Sequence, residues 1–168
     1  MFVGFNAKNH PQQVGKRGAL TSVDDRTLPD ADFQKLHEEF RFTVDVASSH
    51  ENARLPKHYT IEDSGLEASW AGERVYCNPP YSDIRPWVQK AWDSSKWWRG
   101  TRSELVVMLL PANRTEQGWW QDLVEPLRGG AGFHVRFLRG RQRFIAPGKK
   151  AVGKNERPRF GCCLLVWE

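Results

Sequence analysis

Val75-Tyr76-Cys77-Asn78-Pro79-Pro80-Tyr81 runs a short β-prone triplet directly into two successive prolines. β-Branched and aromatic residues favour extended backbone. Pro79 and Pro80 hold φ near −65°, keep Asn78 and Pro79 out of the helical region and remove two N–H donors. The strand is expected to stop at Cys77 and to deliver a rigid stretch with its carbonyls turned outward. Open α/β sheets bind ligands at the carboxyl ends of their strands. The Asn78 side-chain oxygen and the Pro79 carbonyl then form a pair of acceptors for one amino group, and Tyr81 offers an aromatic face to a planar ring.

The segments on either side complete an α/β pattern. Asp30 caps a short amphipathic helix through Phe40, with Phe33, Leu36 and Phe40 at helical spacing. Phe42 to Val46 reads as a strand ending in the polar turn Ser48 to Asn52. Ile84 to Trp98 places Ile84, Trp87, Val88, Ala91 and Trp92 on one helical face, with Gly100 as its stop. Leu105 to Leu110 is apolar throughout, as a strand buried on both faces should be. A helix over about 117–127 follows, on which only one of the adjacent Trp119 and Trp120 is expected to face inward. Strands over Phe133 to Leu138 and Gly161 to Val166 close the chain. This order predicts an α/β sandwich whose sheet is mostly parallel with an antiparallel edge. Residues 1–26 lack any sustained period and read as an irregular arm, leaving residues 27–168 as a single domain.

A chain of 168 residues has room for one domain and none for a separate recognition module. No apolar run approaches the roughly 20 residues of a membrane span, and the first residues resemble no signal peptide. A soluble cytoplasmic protein with no membrane partner is expected. Cys162 and Cys163 are neighbours and Cys77 stands apart, a spacing that fits neither a disulfide framework nor a zinc site, so no metal is expected. The net charge of +5 divides unevenly. Residues 128–168 carry ten Lys and Arg against two acids, a net of +8, whereas residues 1–127 are slightly acidic. A positive field of that kind suits a polyanion; its bland reading is a solvated basic face.

The acceptor pair suits methyl transfer to an sp² amino nitrogen. An exocyclic NH2 conjugated to a ring is a poor nucleophile, and accepting both its N–H hydrogens draws it toward a tetrahedral geometry with a usable lone pair. A base inside a duplex must first be flipped out, and Tyr81 is the natural surface to receive it. The competing reading is a Pro-Pro turn that ends a strand beside a buried tyrosine.

The wording of several segments, in order, resembles one family. Phe42-Thr43-Val44-Asp45-Val46-Ala47-Ser48, Glu51-Asn52-Ala53, Tyr59-Thr60, Gly65-Leu66, Trp70, the Asn78 to Tyr81 tetrapeptide, Trp119-Trp120 and Leu138-Arg139-Gly140-Arg141 are similar to the phage-type DNA N6-adenine methyltransferases over about residues 27 to 168. The resemblance implies S-adenosylmethionine as cofactor, double-stranded DNA as partner, Asn78, Pro79, Pro80 and Tyr81 as the catalytic stretch, and the host bacterial cytoplasm as location. It implies that Asp45, at the end of the first strand, meets the methionine amino group, with Ala47 and Ser48 small enough for close backbone approach. Glu62 and Asp63 are candidates for the ribose hydroxyls or adenine amino group of the cofactor, and Thr27 for a cover over it. Turn-capping by Asp45 and plain surface charge at 62 and 63 are the alternatives. The chain departs from the wider pattern in lacking a Phe-x-Gly-x-Gly loop. Only 33 positions separate Asp45 from Asn78, scarcely one strand-helix-strand unit. The fold implied is therefore an abbreviated Rossmann-like methyltransferase sandwich.

The basic segment 128–159 supplies the nucleic-acid candidates. Arg139, Arg141, Gln142 and Arg143 can reach base edges or phosphates, and Lys149, Lys150 and Lys154 suit phosphates alone. Phe144 is core or the wall of a base pocket. Gly148 to Asn155 mimics a phosphate-binding loop but lacks the terminal hydroxyl and meets Pro158 too soon for a helix. His50 is expected as an exposed turn residue. Other functional readings are methylation of an amino group in RNA or of protein glutamine, the latter disfavoured by the basic surface, and an inactive nucleic-acid-binding module of the same fold.

Overall fold

Seven consecutive residues, Leu105–Pro111, are buried without exception, and the sheet is built around them. The computed structural model describes residues 26–96, 102–146, 148–151 and 160–168. In chain order the elements are α1 (Asp30–Phe40), β1 (Val44–Asp45), β2 (Arg74–Cys77), α2 (Arg85–Ser95), β3 (Leu105–Pro111), α3 (Gly118–Leu123), a 3-10 turn at Glu125–Leu127, β4 (Phe133–Phe137) and β5 (Cys162–Trp167). The expected segments are all present, with ends shifted by a few residues. Gly100 and most of the basic run beyond Ala151, Lys154 included, lie outside the described residues, as do residues 1–25 of the expected arm.

The five strands lie in the order β1-β2-β3-β5-β4. β1, β2 and β3 pair in parallel, and β5 is antiparallel to both β3 and β4. The expected antiparallel edge is corrected in one respect: the reversed strand is β5, one place in from the edge, and β4 at the edge runs in the same sense as β1 to β3. β4 lies one place away from β3, and β5, its antiparallel neighbour, fills the place between them. The sheet is therefore mixed, with two parallel and two antiparallel pairings.

Alternation along the strands gives each face its own layer. Val75, Cys77, Val106, Met108, Leu110, Cys163, Leu165 and Trp167 pack under α2 and α3. Tyr76, Leu105, Val107, Leu109, Leu164 and Val166 pack under α1 through Phe33 and Phe40, and against Phe42 just beyond it. Full burial of such side chains stabilises by roughly 1.5–3 kcal/mol each before chain entropy is counted. Trp119 and Trp120 are both buried, contrary to the expectation that only one would be. Adjacent helical residues point only about 100° apart, so two indoles can share one broad core arc. No helix among the described residues is long and apolar enough to cross a membrane.

Residues 46–73, which join β1 to β2, form turns and no helix. Lys57 to Tyr59 runs along the outer edge of β1: the Asp45 N–H donates to Lys57 O (3.0 Å) and the Tyr59 N–H to Asp45 O (2.8 Å). The crossover squeezes past β1 at Gly65, where an added Cβ would lie 1.9 Å from the Val46 carbonyl oxygen. Trp70 anchors it from below, its indole N–H donating to Gly65 O at 2.9 Å.

Candidate active site

β1 and β2 end side by side, and their carboxyl ends open into a cavity of about 480 Å³, within the size range of small-molecule sites. Asp45, Ala47 and Ser48 line it from the end of β1, Glu62 from the crossover, Asn78 and Pro80 from the end of β2, and Arg26 and Thr27 from the segment before α1. Seven of the residues singled out in the sequence thus meet around one space. Pro79 and Tyr81 are not among its lining residues. Asp63 is outside the lining too: its carboxylate accepts from the Thr60 N–H (3.2 Å) and hydroxyl (3.0 Å), which hold it below the usual carboxylate range.

Asp45 is 2% exposed. Burial pushes its carboxyl up to about 6, against the opposing pull of the Arg54 and Ala47 backbone N–H groups. Those groups donate to separate oxygens, Arg54 N at 3.0 Å and Ala47 N at 3.4 Å. Among the described residues its hydrogen-bond partners are backbone N–H groups and no Lys, Arg or His forms an ion pair with it, an arrangement that favours a positively charged ligand group. Ser48 is tied by its N–H to the Tyr59 carbonyl at 3.2 Å, so the chain stays small and close where it turns over the cavity floor. Among buried polar atoms without a hydrogen-bond partner, three belong to lining residues: Arg26 Nε, Ser49 Oγ and Tyr76 Oη.

At the other end, the Asn78 amide is fixed from both sides. Its NH2 donates to the Arg26 carbonyl at 2.8 Å, and its oxygen accepts from the Tyr81 hydroxyl at 3.2 Å. The donor contact settles which way the amide faces, leaving one lone pair of Oδ1 for a ligand. Tyr81 is held in turn. Its ring meets Phe144 edge-on at 6.3 Å and Phe160 at 6.2 Å, its carbonyl accepts from Arg114, and burial raises its hydroxyl well above the ordinary phenol value.

His50 is exposed at the cavity rim, as expected of a turn residue. Its Nδ1 lies 3.0 Å from His58 Nε2, while His58 Nδ1 faces the Leu55 and Pro56 carbonyls. In a neutral His58 ring those carbonyls favour the proton on Nδ1, which leaves Nε2 to accept from His50. Arg139, Arg141, Arg143, Lys149 and Lys150 are exposed, Gln142 is half-buried, and Phe144 is core. No group of three or more His, Cys, Asp or Glu side chains suited to a metal occurs among the described residues.

Sequence reading missed Arg26, Arg54, Arg114 and Gly65. Arg26 was assigned to the arm, and its contribution is a backbone carbonyl that no residue type encodes. Arg54 and Arg114 act on main-chain oxygens 26 and 33 residues away, beyond the reach of any local period. Gly65 sits in a Ser-Gly pair with an ordinary turn composition.

Comparison with known proteins adds two findings. The profile of the DNA N-6-adenine-methyltransferase (Dam) family matches residues 19–168. The DNA N-6-adenine-methyltransferase of Haemophilus phage HP1 (strain HP1c1) is 30% identical over 91 residues, which are 54% of this chain and 49% of that protein. The chain therefore spans about half the length of this curated relative.

Proposed function

Since the chain belongs to the DNA N-6-adenine-methyltransferase (Dam) family, we propose that it transfers a methyl group from S-adenosylmethionine to the N6 amino group of adenine in double-stranded DNA. One observation carries the reading: a fixed Asn78 amide and a buried Asp45 carboxylate face the same cavity from the ends of adjacent parallel strands. The proposed fold is an abbreviated Rossmann-like methyltransferase sandwich, supported by the parallel β1-β2-β3 half and by a site at its carboxyl ends.

The lining residues fit the cofactor. A nearly uncompensated buried carboxylate suits its amino group, and the orphaned polar atoms of Arg26, Ser49 and Tyr76 await polar partners. Asp45, Ala47, Ser48, Glu62 and Thr27 would hold it; Asp63 contributes by bracing Thr60. Bound S-adenosylmethionine supplies an electrophilic methyl group on a sulfonium. The protein's own work is on the nucleophile. Asn78 Oδ1 and the Pro79 carbonyl accept the two amino hydrogens of a flipped adenine, and Tyr81 stacks on its ring. Of the two acceptors, Asn78 Oδ1 is preset by the bonds of its amide to the Arg26 carbonyl and the Tyr81 hydroxyl, so it needs no reorganisation as positive charge develops on the nitrogen. Neither takes a proton, so the one released goes to water.

Arg139, Arg141, Gln142 and Arg143 are proposed to read or clasp the duplex, with Lys149, Lys150 and Lys154 on phosphates. The test is to supply methyl-tritiated S-adenosylmethionine with duplex DNA, RNA and protein and to locate the label by nucleoside and amino-acid analysis. Label in N6-methyladenine of DNA is expected. Label only in RNA or in glutamine would replace the DNA reading, and none anywhere would leave a binding module.

A further inference from the structure

Arg54 joins the two ends of the cavity by two separate parts of itself. Its backbone N–H donates to Asp45 Oδ2 at 3.0 Å, at the proposed cofactor end. Its guanidinium reaches away from the cavity: Nη2 donates to the Leu28 carbonyl and Nη1 to Asp30 Oδ1 at 2.6 Å, while the group lies 5.5 Å from the centre of the Phe33 ring. The Arg54 side chain is 13% exposed, so its bond to the Leu28 carbonyl is largely shielded from water, whereas Asp30 is 91% exposed and its ion pair lies open to solvent.

The contact with Leu28 bears on Asn78. Leu28 follows Thr27, whose N–H and carbonyl both bond Ile145 (3.1 and 2.7 Å), and Thr27 follows Arg26, whose carbonyl takes the Asn78 amide. Residues 26–28 lie outside any helix, with Thr27 in an isolated antiparallel bridge to Ile145, so their path depends on what grips them at each side. Ile145 holds one side and Arg54 the other. We propose that the Arg54 side chain is a positioning residue for methyl transfer: by holding the 26–30 segment it sets the Arg26 carbonyl, and through it the direction of the Asn78 acceptor oxygen. This rests on the methyltransferase reading of the site.

The division within the residue makes the role separable. A substitution removes the guanidinium and leaves the backbone N–H on Asp45. Arg54→Gln should therefore keep the affinity for S-adenosylhomocysteine within about threefold while kcat falls by about tenfold to 100-fold, the scale expected when a reacting group is held out of line. Arg54→Lys, which can still reach the Leu28 carbonyl with a single donor, should recover part of the loss.

The experiment measures kcat and KM with duplex DNA, S-adenosylhomocysteine affinity by calorimetry, and the side-chain ¹⁵N–¹H signal of Asn78, assigned by its absence in Asn78→Asp. The Asn78 signal should shift or broaden in Arg54→Gln and return toward its place in Arg54→Lys. An unchanged kcat or an unmoved Asn78 signal overturns the proposal, as does an affinity for S-adenosylhomocysteine that falls in step with kcat. If Arg54→Gln does not fold, Arg54→Lys decides on the same readouts, because it should show a smaller drop in kcat with affinity kept. A wild-type protein that transfers no methyl group would instead remove the reaction, leaving the Asn78 signal to report whether Arg54 orders the segment.

Discussion

The Asn78 side chain donates to the carbonyl of Arg26, 52 positions earlier, at 2.8 Å. A residue at the end of β2 is thereby oriented by the main chain just before α1. An aspartate at 78 keeps an acceptor for the substrate but sets a second oxygen against the Arg26 carbonyl. Asn78→Asp should retain S-adenosylhomocysteine binding and lose about tenfold to 100-fold in kcat, roughly the effect of misorienting one preorganised group; steady-state kinetics on duplex DNA checks this.

Burial holds the Asp45 carboxyl at about 6 in the folded chain against 3.8 in its absence. The folded state therefore binds the extra proton, and stability from this group is full below about pH 4 and lost as pH rises through about 6, by about 3 kcal/mol in all. If Asp45 holds the cationic amino group of the cofactor as proposed, cofactor affinity runs the opposite way, since that contact needs the ionised form. Titration calorimetry with S-adenosylhomocysteine should show binding weakening below pH 6 in the wild type, and binding that is weaker and flat with pH in Asp45→Asn.

Gly65 passes the Val46 carbonyl with no room for a methyl group, since the added carbon would stand 1.9 Å from that oxygen. Gly65→Ala must push the crossover off β1, at a cost of about 3 kcal/mol. Urea denaturation should show that loss; a wild-type midpoint would mean that the crossover yields freely.

Lys149 and Lys150 are exposed on the basic segment. If they meet phosphates, replacing both with alanine should weaken DNA binding alike for all sequences and lower the slope of log affinity against log salt by about 2. Fluorescence anisotropy over a salt series measures both quantities, and an unchanged slope would place the two lysines away from the duplex.

What was legible in the sequence was what repeats locally. The apolar run at Leu105, the helical spacing of Phe33 and Phe40, and the prolines after Cys77 each fix their own backbone, and every one of those elements formed. The site was legible where it sits on those elements: Asp45 and Asn78 end adjacent strands and share the cavity. The chain position of β5 was predictable but its place in the sheet was not, because it depends on β4 docking one place away from β3, which no local residue pattern encodes. Asp63 stands outside the cavity lining, since an acid in a turn is as readily used by its neighbours, here Thr60, as by a ligand. Arg26, Arg54 and Arg114 act through or upon main-chain carbonyls, which carry no signature in the side-chain sequence.

The central claim is that Asn78 turns the end of β2 into the acceptor of a DNA adenine amino group. Its most direct test is the yield of N6-methyladenine in duplex DNA from wild type and Asn78→Ala under saturating S-adenosylmethionine, with S-adenosylhomocysteine affinity measured in parallel. The account predicts methylated adenine with the wild type, none detectable with Asn78→Ala, and equal affinity within about threefold, because the substitution leaves Asp45 and its backbone donors in place. Methylation by Asn78→Ala at a rate near that of the wild type would contradict it.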